Sequence, residues 1–361
     1  MPLFTLPATA VLTQLDTFDS IIDARSEDEH ALDHVPGAVN WPSLNNQERI
    51  DIGTLYKQVN AFEAKKRGAA LAARNIAAHI ERDVLDKPKS WRPLVYCWRG
   101  GNRSGALATI LSAIGFQVTL IEGGYKAWRH ALVDDLAARV QPLHFRVVCG
   151  PTGSGKTRLL QALAQAGAQV LDLEGLAMHR SSVLGLIPGQ AQPSQKRFES
   201  LLWDALRRFD PQRPVYVESE SKKVGNLRVP EALMDAMRAS PCLDLQLPDA
   251  QRVALLLEDY DFFVHDPAFF CQRLSALSAL RGQATVDAWQ AQVLQGQTVA
   301  VVQDLLTRHY DPVYASSIRR NFLHYGNAVA CVLPDRSAEA LTALARQLVA
   351  ADAMAQPISV A

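Results

Sequence analysis

Two short stretches of the chain carry residues whose types and spacing can do chemistry. The first is CWRGGNRS, Cys97 to Ser104, entered from the apolar run LVYC and followed by the helix-like SGALATILSAIG. A free cysteine is most often simple packing. Here the thiol meets Gly100, Gly101, two arginines and the start of a helix. Such a turn can aim backbone N–H groups at an anion, and the helix dipole adds to the field. The same field favours thiolate over thiol, which makes a nucleophile at neutral pH. Cys97 and Arg103 are therefore candidate catalytic residues, with Arg99, Gly100, Gly101, Asn102 and Ser104 completing an anion-binding loop.

The second stretch is GPTGSGKT, Gly150 to Thr157, which matches the phosphate-loop pattern GxxxxGK[ST] between the strand-like HFRVVC and the helix-like RLLQALAQ. Gly150, Gly153, Ser154 and Gly155 let the backbone close around phosphate oxygens. Lys156 can reach a terminal phosphate, and Thr157 can hold Mg²⁺. A magnesium-positioning acid is expected where a second apolar strand ends, and VYVESESKK supplies Glu218 and Glu220 there. A further strand exit, DLEGLAMHRSSVLG, places Asp172, Glu174, His179 and Arg180 beyond a sheet edge, where ligands bind in such folds. These six are candidates for Mg²⁺ or substrate positioning. Lys222, Lys223 and Arg228 follow at once and suit an anionic partner.

The elements that must hold these loops alternate strand with helix. SIIDAR, LVYC and QVTLIEG read as strands, and the alanine-rich section 44–92 reads as helical. A joint at 139–144 opens a second α/β rhythm through HFRVVC, AQVLDLE and VYVESE. From about 250 to 350 apolar residues recur three and four apart, as in RVALLLEDY and AVVQDLLTRHY. The expected fold class is α/β. Its expected domains are 1–138 with the Cys97 loop and a helical insertion, 139–248 with the phosphate loop, and a mainly helical 249–361 that completes or packs on the second.

Composition narrows the class. With 48% hydrophobic and 20% charged residues in 361, the chain is suited to folded cores and not to disorder. Polar residues interrupt every long apolar stretch before the roughly 18 residues a membrane span needs, and the N-terminus lacks a basic leader. Five cysteines without CxxC spacing argue against a disulfide framework or thiolate zinc site and fit a reducing cytosol. Basic and acidic residues balance at 37 each, so any polyanion must be held by local patches. Ten of the basic residues are lysines, none beyond Lys223, and arginine supplies planar, bidentate donors.

The Cys97 loop resembles the active-site loop of the rhodanese family. So do IIDAR (21–25), HVPGAVNWP (34–42) and EGGYKAW (122–128), in the family's order. Two departures stand out. Section 44–92 is longer than a minimal rhodanese domain needs, and Arg103 lies six residues after Cys97 where single-domain sulfurtransferases place it five after. The longer loop implies a cradle suited to a phosphate-sized anion. With the phosphate loop, DLEGLAMHRSSVLG, VESESKKVGNLRVP and YDPVY (310–314), the whole chain resembles the bacterial tRNA 2-selenouridine synthase family: a rhodanese-like parallel-sheet domain followed by a P-loop NTPase-like α/β domain. One further departure is Ser181, where that family is expected to favour glycine.

The resemblance implies a cytoplasmic transferase, without membrane insertion, that acts on tRNA carrying wobble 2-thiouridine or its 5-substituted derivatives. It would geranylate the sulfur from geranyl diphosphate, then replace the geranylated sulfur with selenium from selenophosphate. The phosphate loop would hold the diphosphate with Mg²⁺, and the Cys97 loop the selenophosphate. No tightly bound organic cofactor is implied. A selenophosphate-producing enzyme would be the donor partner. Lys222, Lys223, Arg228, Arg319 and Arg320 would contact tRNA. A geranyl groove is expected in FFVHDPAFF (262–270) or on apolar faces of 250–310. The alternative reading is an ATP-dependent rhodanese-type tRNA sulfurtransferase.

Overall fold

The computed structural model describes residues 3–182 and 184–355. These form two compact units, one reaching to Ala138 and including Pro193–Asp204, the other made of Arg139–Gln192 and the chain from Ala205 onward.

The first unit is built on five parallel strands, β1 (Phe4–Leu6), β2 (Ser20–Asp23), β3 (Ala38–Asn40), β4 (Pro93–Tyr96) and β5 (Thr119–Ile121), in the order β1-β5-β4-β2-β3. β4 lies at the centre and is buried along its whole length, as a parallel strand covered on both faces should be. It delivers Cys97 to the carboxyl end of the sheet. The edge strands β1 and β3 are three residues each, too short for a periodic signal. Section 44–92 forms two helices, Asn46–Gln58 and Ala61–Asp83. Each starts on an asparagine cap: Asn45 Oδ1 accepts from the N–H of Glu48 at 2.9 Å, and Asn60 Oδ1 from that of Phe62 at 2.7 Å. Ile76 of the second helix joins Ile22, Trp41, Val95 and Leu107 in the core that also encloses Cys97.

Pro193–Asp204 opens the helix Gln195–Leu206, which in sequence lies well past the joint. It belongs to the first unit because Trp203 packs edge-on against Trp128 and its Nε1 donates to Asp135 Oδ2 at 2.8 Å.

The second unit has five parallel strands, β6 (Phe145–Cys149), β7 (Gln169–Leu171), β8 (Val215–Glu218), β11 (Cys242–Gln246) and β12 (Val329–Val332), ordered β12-β11-β6-β8-β7. A small antiparallel ribbon of β9 (Lys223–Val224) and β10 (Leu227–Arg228) follows β8. The chain leaves central β6 toward β7 on one side and later β11 on the other. That reversal opens a crevice at the strands' carboxyl ends. β12 arises from the stretch whose pattern reads as helical; it is a four-residue edge strand with a single buried side chain, Cys331. The helical region before it packs around Phe263, Phe270, Leu274, Trp289 and Val301. Among the described residues no helix is long and apolar enough to cross a membrane.

Candidate active sites

Cys97 follows β4 directly and is almost fully buried, with the helix Asn102–Ile114 starting just beyond it. The hydroxyl of Ser104 donates to Cys97 Sγ at 3.1 Å. From behind, the N–H groups of Tyr125 and Lys126 donate to the carbonyls of Cys97 and Trp98 at 2.8 and 3.0 Å. This brace explains the paired glycines of EGGYKAW. Gly124 has φ of +60°, and a Cβ there would stand 2.3 Å from the Cys97 carbonyl oxygen and 2.5 Å from Gly100 N. The Asp and Arg of IIDAR support the same region. Buried Arg25 holds Asp23 at 2.6 Å and lies 3.9 Å over the Tyr125 ring.

Arg103 turns its guanidinium to Glu29, with Nη1 at 2.7 Å from Oε2. Arg49, from the helical insertion, approaches the same carboxylate at 3.5 Å. Burial would raise the Glu29 carboxyl, but the Arg103 hydrogen bond and charge outweigh it and hold it below the ordinary range. Arg99, Gly100, Gly101 and Asn102 are exposed at the mouth of the loop.

In the second unit the phosphate loop joins β6 to the helix Lys156–Gln165, with Gly150, Gly153 and Gly155 all at positive φ. Lys156 Nζ donates to the carbonyls of Gly150 and Pro151, at 2.8 and 3.3 Å. YDPVY secures the loop from the far end of the chain. The Gly150 N–H donates to the Tyr314 hydroxyl at 2.6 Å. Arg252 donates to the Thr152 carbonyl at 2.8 Å while pairing with Asp311 at 2.6 Å.

This loop lines a cavity of about 1260 Å³. Thr157, Glu174, Glu220 and Lys156 contribute polar lining, and Leu255, Leu256, Tyr260, Leu280, Tyr310 and Val313 contribute apolar lining. A π-helical turn, Leu306–Tyr310, sets Tyr310 there. FFVHDPAFF takes no part in this wall; Phe263 and Phe270 are core. The apolar faces of the surrounding helices supply it instead.

Glu174, Glu218 and Glu220 converge, with one oxygen of each within 4.8 Å of the others. Thr157 Oγ1 donates to Glu174 at 3.2 Å, and the Glu174 N–H donates to Glu218 Oε1 at 3.0 Å. Burial, then the Glu220 charge, pushes the Glu174 carboxyl up to about 8. Burial and the Glu174 charge push Glu218 well above its usual range. Glu218 Oε2 is buried without a protein partner. Hard oxygen donors around an orphaned carboxylate oxygen beside Thr157 fit a divalent cation such as Mg²⁺.

Asp172, His179, Arg180, Lys222 and Lys223 also line the cavity. Asp172 caps the helix Leu173–Ala177 through the Gly175 N–H at 2.7 Å, and Arg180 lies 4.5 Å over the Tyr260 ring. Ser181 sits at φ +50°, the left-handed conformation that favours glycine, with its hydroxyl on Glu220. Ser154 is buried, and its Oγ has no partner. Arg228 is exposed on the ribbon, and Arg319 and Arg320 are exposed at the end of the helix Asp311–Asn321; none of the three lines the cavity.

Residues 8–131 match the family model of the rhodanese-like domain, and 143–272 that of the tRNA 2-selenouridine synthase AAA domain. The tRNA 2-selenouridine synthase of Marinobacter nauticus is 33% identical over 328 residues, covering 81% of this chain and 87% of its own. The chain belongs to the tRNA 2-selenouridine synthase family. The family's Aeromonas salmonicida member is 31% identical, over 91% of this chain and 96% of its own. A solved rhodanese-related protein from Thermoplasma volcanium aligns with 35% of this chain and 91% of its own, at 16% identity and a TM-score of 0.24. Family membership makes the chain a tRNA-modifying enzyme.

Glu29, Arg49 and Arg252 escaped the sequence reading. Glu29 had only a weak signal, an acidic residue in the capping pattern SEDE. Arg49 and Arg252 had none.

Proposed function

We propose that this enzyme makes 2-selenouridine in tRNA in two steps. It first alkylates the sulfur of wobble 2-thiouridine with the geranyl group of geranyl diphosphate, then exchanges that sulfur for selenium from selenophosphate. The observation that carries the reading is one cavity lined both by the phosphate loop and by apolar side chains. A diphosphate joined to a hydrocarbon chain needs both surfaces together.

In the first step the thiouridine sulfur attacks C1 of the geranyl group, the C–O bond breaks, and diphosphate leaves while the base loses its N3 proton. Lys156 and the loop N–H groups stabilise charge growing on the diphosphate. Thr157, Glu174, Glu218 and Glu220 would hold Mg²⁺, which when bound supplies further countercharge. The apolar wall orients the chain and excludes water. In the second step the C2–S bond breaks and geranylthiol departs with a proton from water, the selenium of selenophosphate bonds to C2, and water cleaves the P–Se bond to release phosphate. The Cys97 loop would offer donors to the selenophosphate oxygens, and the Cys97 thiolate would attack C2 to expel geranylthiol and leave again as selenium bonds there.

Purified protein with 2-thiouridine tRNA, followed by nucleoside mass spectrometry, tests the reading. Geranyl diphosphate alone is expected to give the S-geranyl nucleoside, and 2-selenouridine is expected only when selenophosphate is added as well. Selenium incorporation without geranyl diphosphate, or a requirement for ATP, would overturn it.

A further inference from the structure

The helices Asn46–Gln58 and Ala61–Asp83 form a hairpin whose two ends differ in character. At the root, Ile76 is 1% exposed and packs in the cluster that holds Cys97. Asn75 Nδ2 donates to the Ser43 carbonyl at 3.2 Å, and Ser43 Oγ donates to the Arg103 carbonyl at 3.0 Å. The N–H of Asp28 donates to Asn46 Oδ1 at 3.0 Å, and the N–H of Asn46 to Glu27 Oε2 at 2.9 Å. The insertion thus frames the Cys97 loop.

At the tip, Tyr56, Val59 and Phe62 are 56%, 72% and 67% exposed. Residues 56–67 carry Lys57, Lys65, Lys66 and Arg67 against one carboxylate, Glu63, in a chain of zero net charge. Lys66 is committed to Glu63 and lies 5.1 Å over the Phe62 ring. Lys57, Lys65 and Arg67 are exposed. From Asn75 to Phe62 the helix runs ~20 Å, at about 1.5 Å per residue.

We propose that this tip is a tRNA-contact surface, which grips the RNA while the target nucleotide sits at the Cys97 loop. It rests on the reading of that loop as the place of selenium delivery. Exposed apolar side chains alone would suit many partners. Aromatic rings set among surplus cations suit a polyanion with unstacked bases: cations neutralise phosphates and rings stack on bases. The rigid root gives that grip a fixed distance from Cys97.

Filter binding of the full-length protein to 2-thiouridine tRNA across a salt series tests this. Replacing Lys57, Lys65 and Arg67 together with alanine is expected to flatten the slope of log affinity against log salt by about two to three units. Tyr56→Ala with Phe62→Ala is expected to weaken binding about tenfold with the slope unchanged. An unchanged helical circular-dichroism signal and melting temperature report that both variants are folded, and geranyl diphosphate affinity is expected to stay unchanged. Wild-type slope and affinity in the triple variant would overturn the proposal. So would intact tRNA binding with altered sedimentation, which would make the tip a contact between protein chains. If Cys97→Ala still makes 2-selenouridine while the triple variant loses salt dependence, the Cys97 reading fails and the tip footprint stands.

Discussion

The Cys97 loop and the phosphate loop use one backbone device with opposite surroundings. Each leaves a central parallel strand, turns on glycines and enters a helix N-terminus, so each offers N–H groups to an anion. Around Cys97 the turn is tight. Gly124 lets the chain behind it touch the loop, and the charge at its edge is arginine balanced by one carboxylate, Glu29. Around Lys156 the turn opens into a large cavity lined by Glu174 and Glu220, with Glu218 buried beside them. The backbone turn is shared; the surroundings differ, a buried thiol beside an arginine–glutamate pair in one and converging carboxylates with apolar side chains in the other.

The sharpest way to break this contrast is Cys97→Ala. It is expected to abolish selenium incorporation while S-geranylation of tRNA persists, because alkylation needs the thiocarbonyl sulfur and no protein nucleophile. Mass spectrometry of both nucleosides checks it, and 2-selenouridine formed at the wild-type rate would separate Cys97 from the chemistry.

Lys156→Ala is expected to do the converse. Geranylation should fall by about 10²-fold or more, the general scale for removing one donor aimed at developing charge. tRNA that is already S-geranylated should restore selenium incorporation. A folded variant that stays defective with that substrate would mean both steps use the phosphate loop.

Lys222 and Lys223, exposed on β9 and the turn before it, border the same cavity. Neutralising both is expected to flatten the salt dependence of tRNA binding by up to roughly two units and to leave geranyl diphosphate affinity nearly unchanged. Filter binding decides this, and an unchanged slope would remove the pair from the RNA footprint.

The smallest effect concerns the carboxylates themselves. A carboxyl raised from 4.5 to about 8 on folding keeps its proton in the folded state where the unfolded chain has lost it. Stability from this cluster is therefore present below about pH 4.5 and lost as pH rises toward about 8. Glu218→Gln removes one carboxyl that keeps its proton only in the folded state, so in chelator its melting temperature is expected to fall less steeply over that window than the wild type's. Identical pH slopes for the two proteins would show that the crowding is relieved in solution.

Much of this was legible in the residues. GPTGSGKT and CWRGGNRS specify their own turns, because glycine and a following helix start set the direction of N–H groups within a few positions. Asn45 and Asn60 cap their helices by the same local logic. Ser181 stands where family resemblance favours glycine, and its positive φ gives the reason. β12 was hidden, since four residues on an edge with one buried side chain carry no period.

The sequence by itself determined the two glycine-rich loops, the parallel α/β units around them and the residues of the turns, since these depend on contacts within a turn or on a strand's burial. Tertiary structure alone decided what faces the loops. Arg103 and Glu29 are 74 residues apart, and Glu218 approaches Glu174 across 44. Arg252 ties Thr152 to Asp311, and Trp203 carries its helix into the first unit. Such partners meet only after strand order and core packing bring distant segments together. A local pattern can place a backbone donor, but the charge it will face comes from another part of the chain.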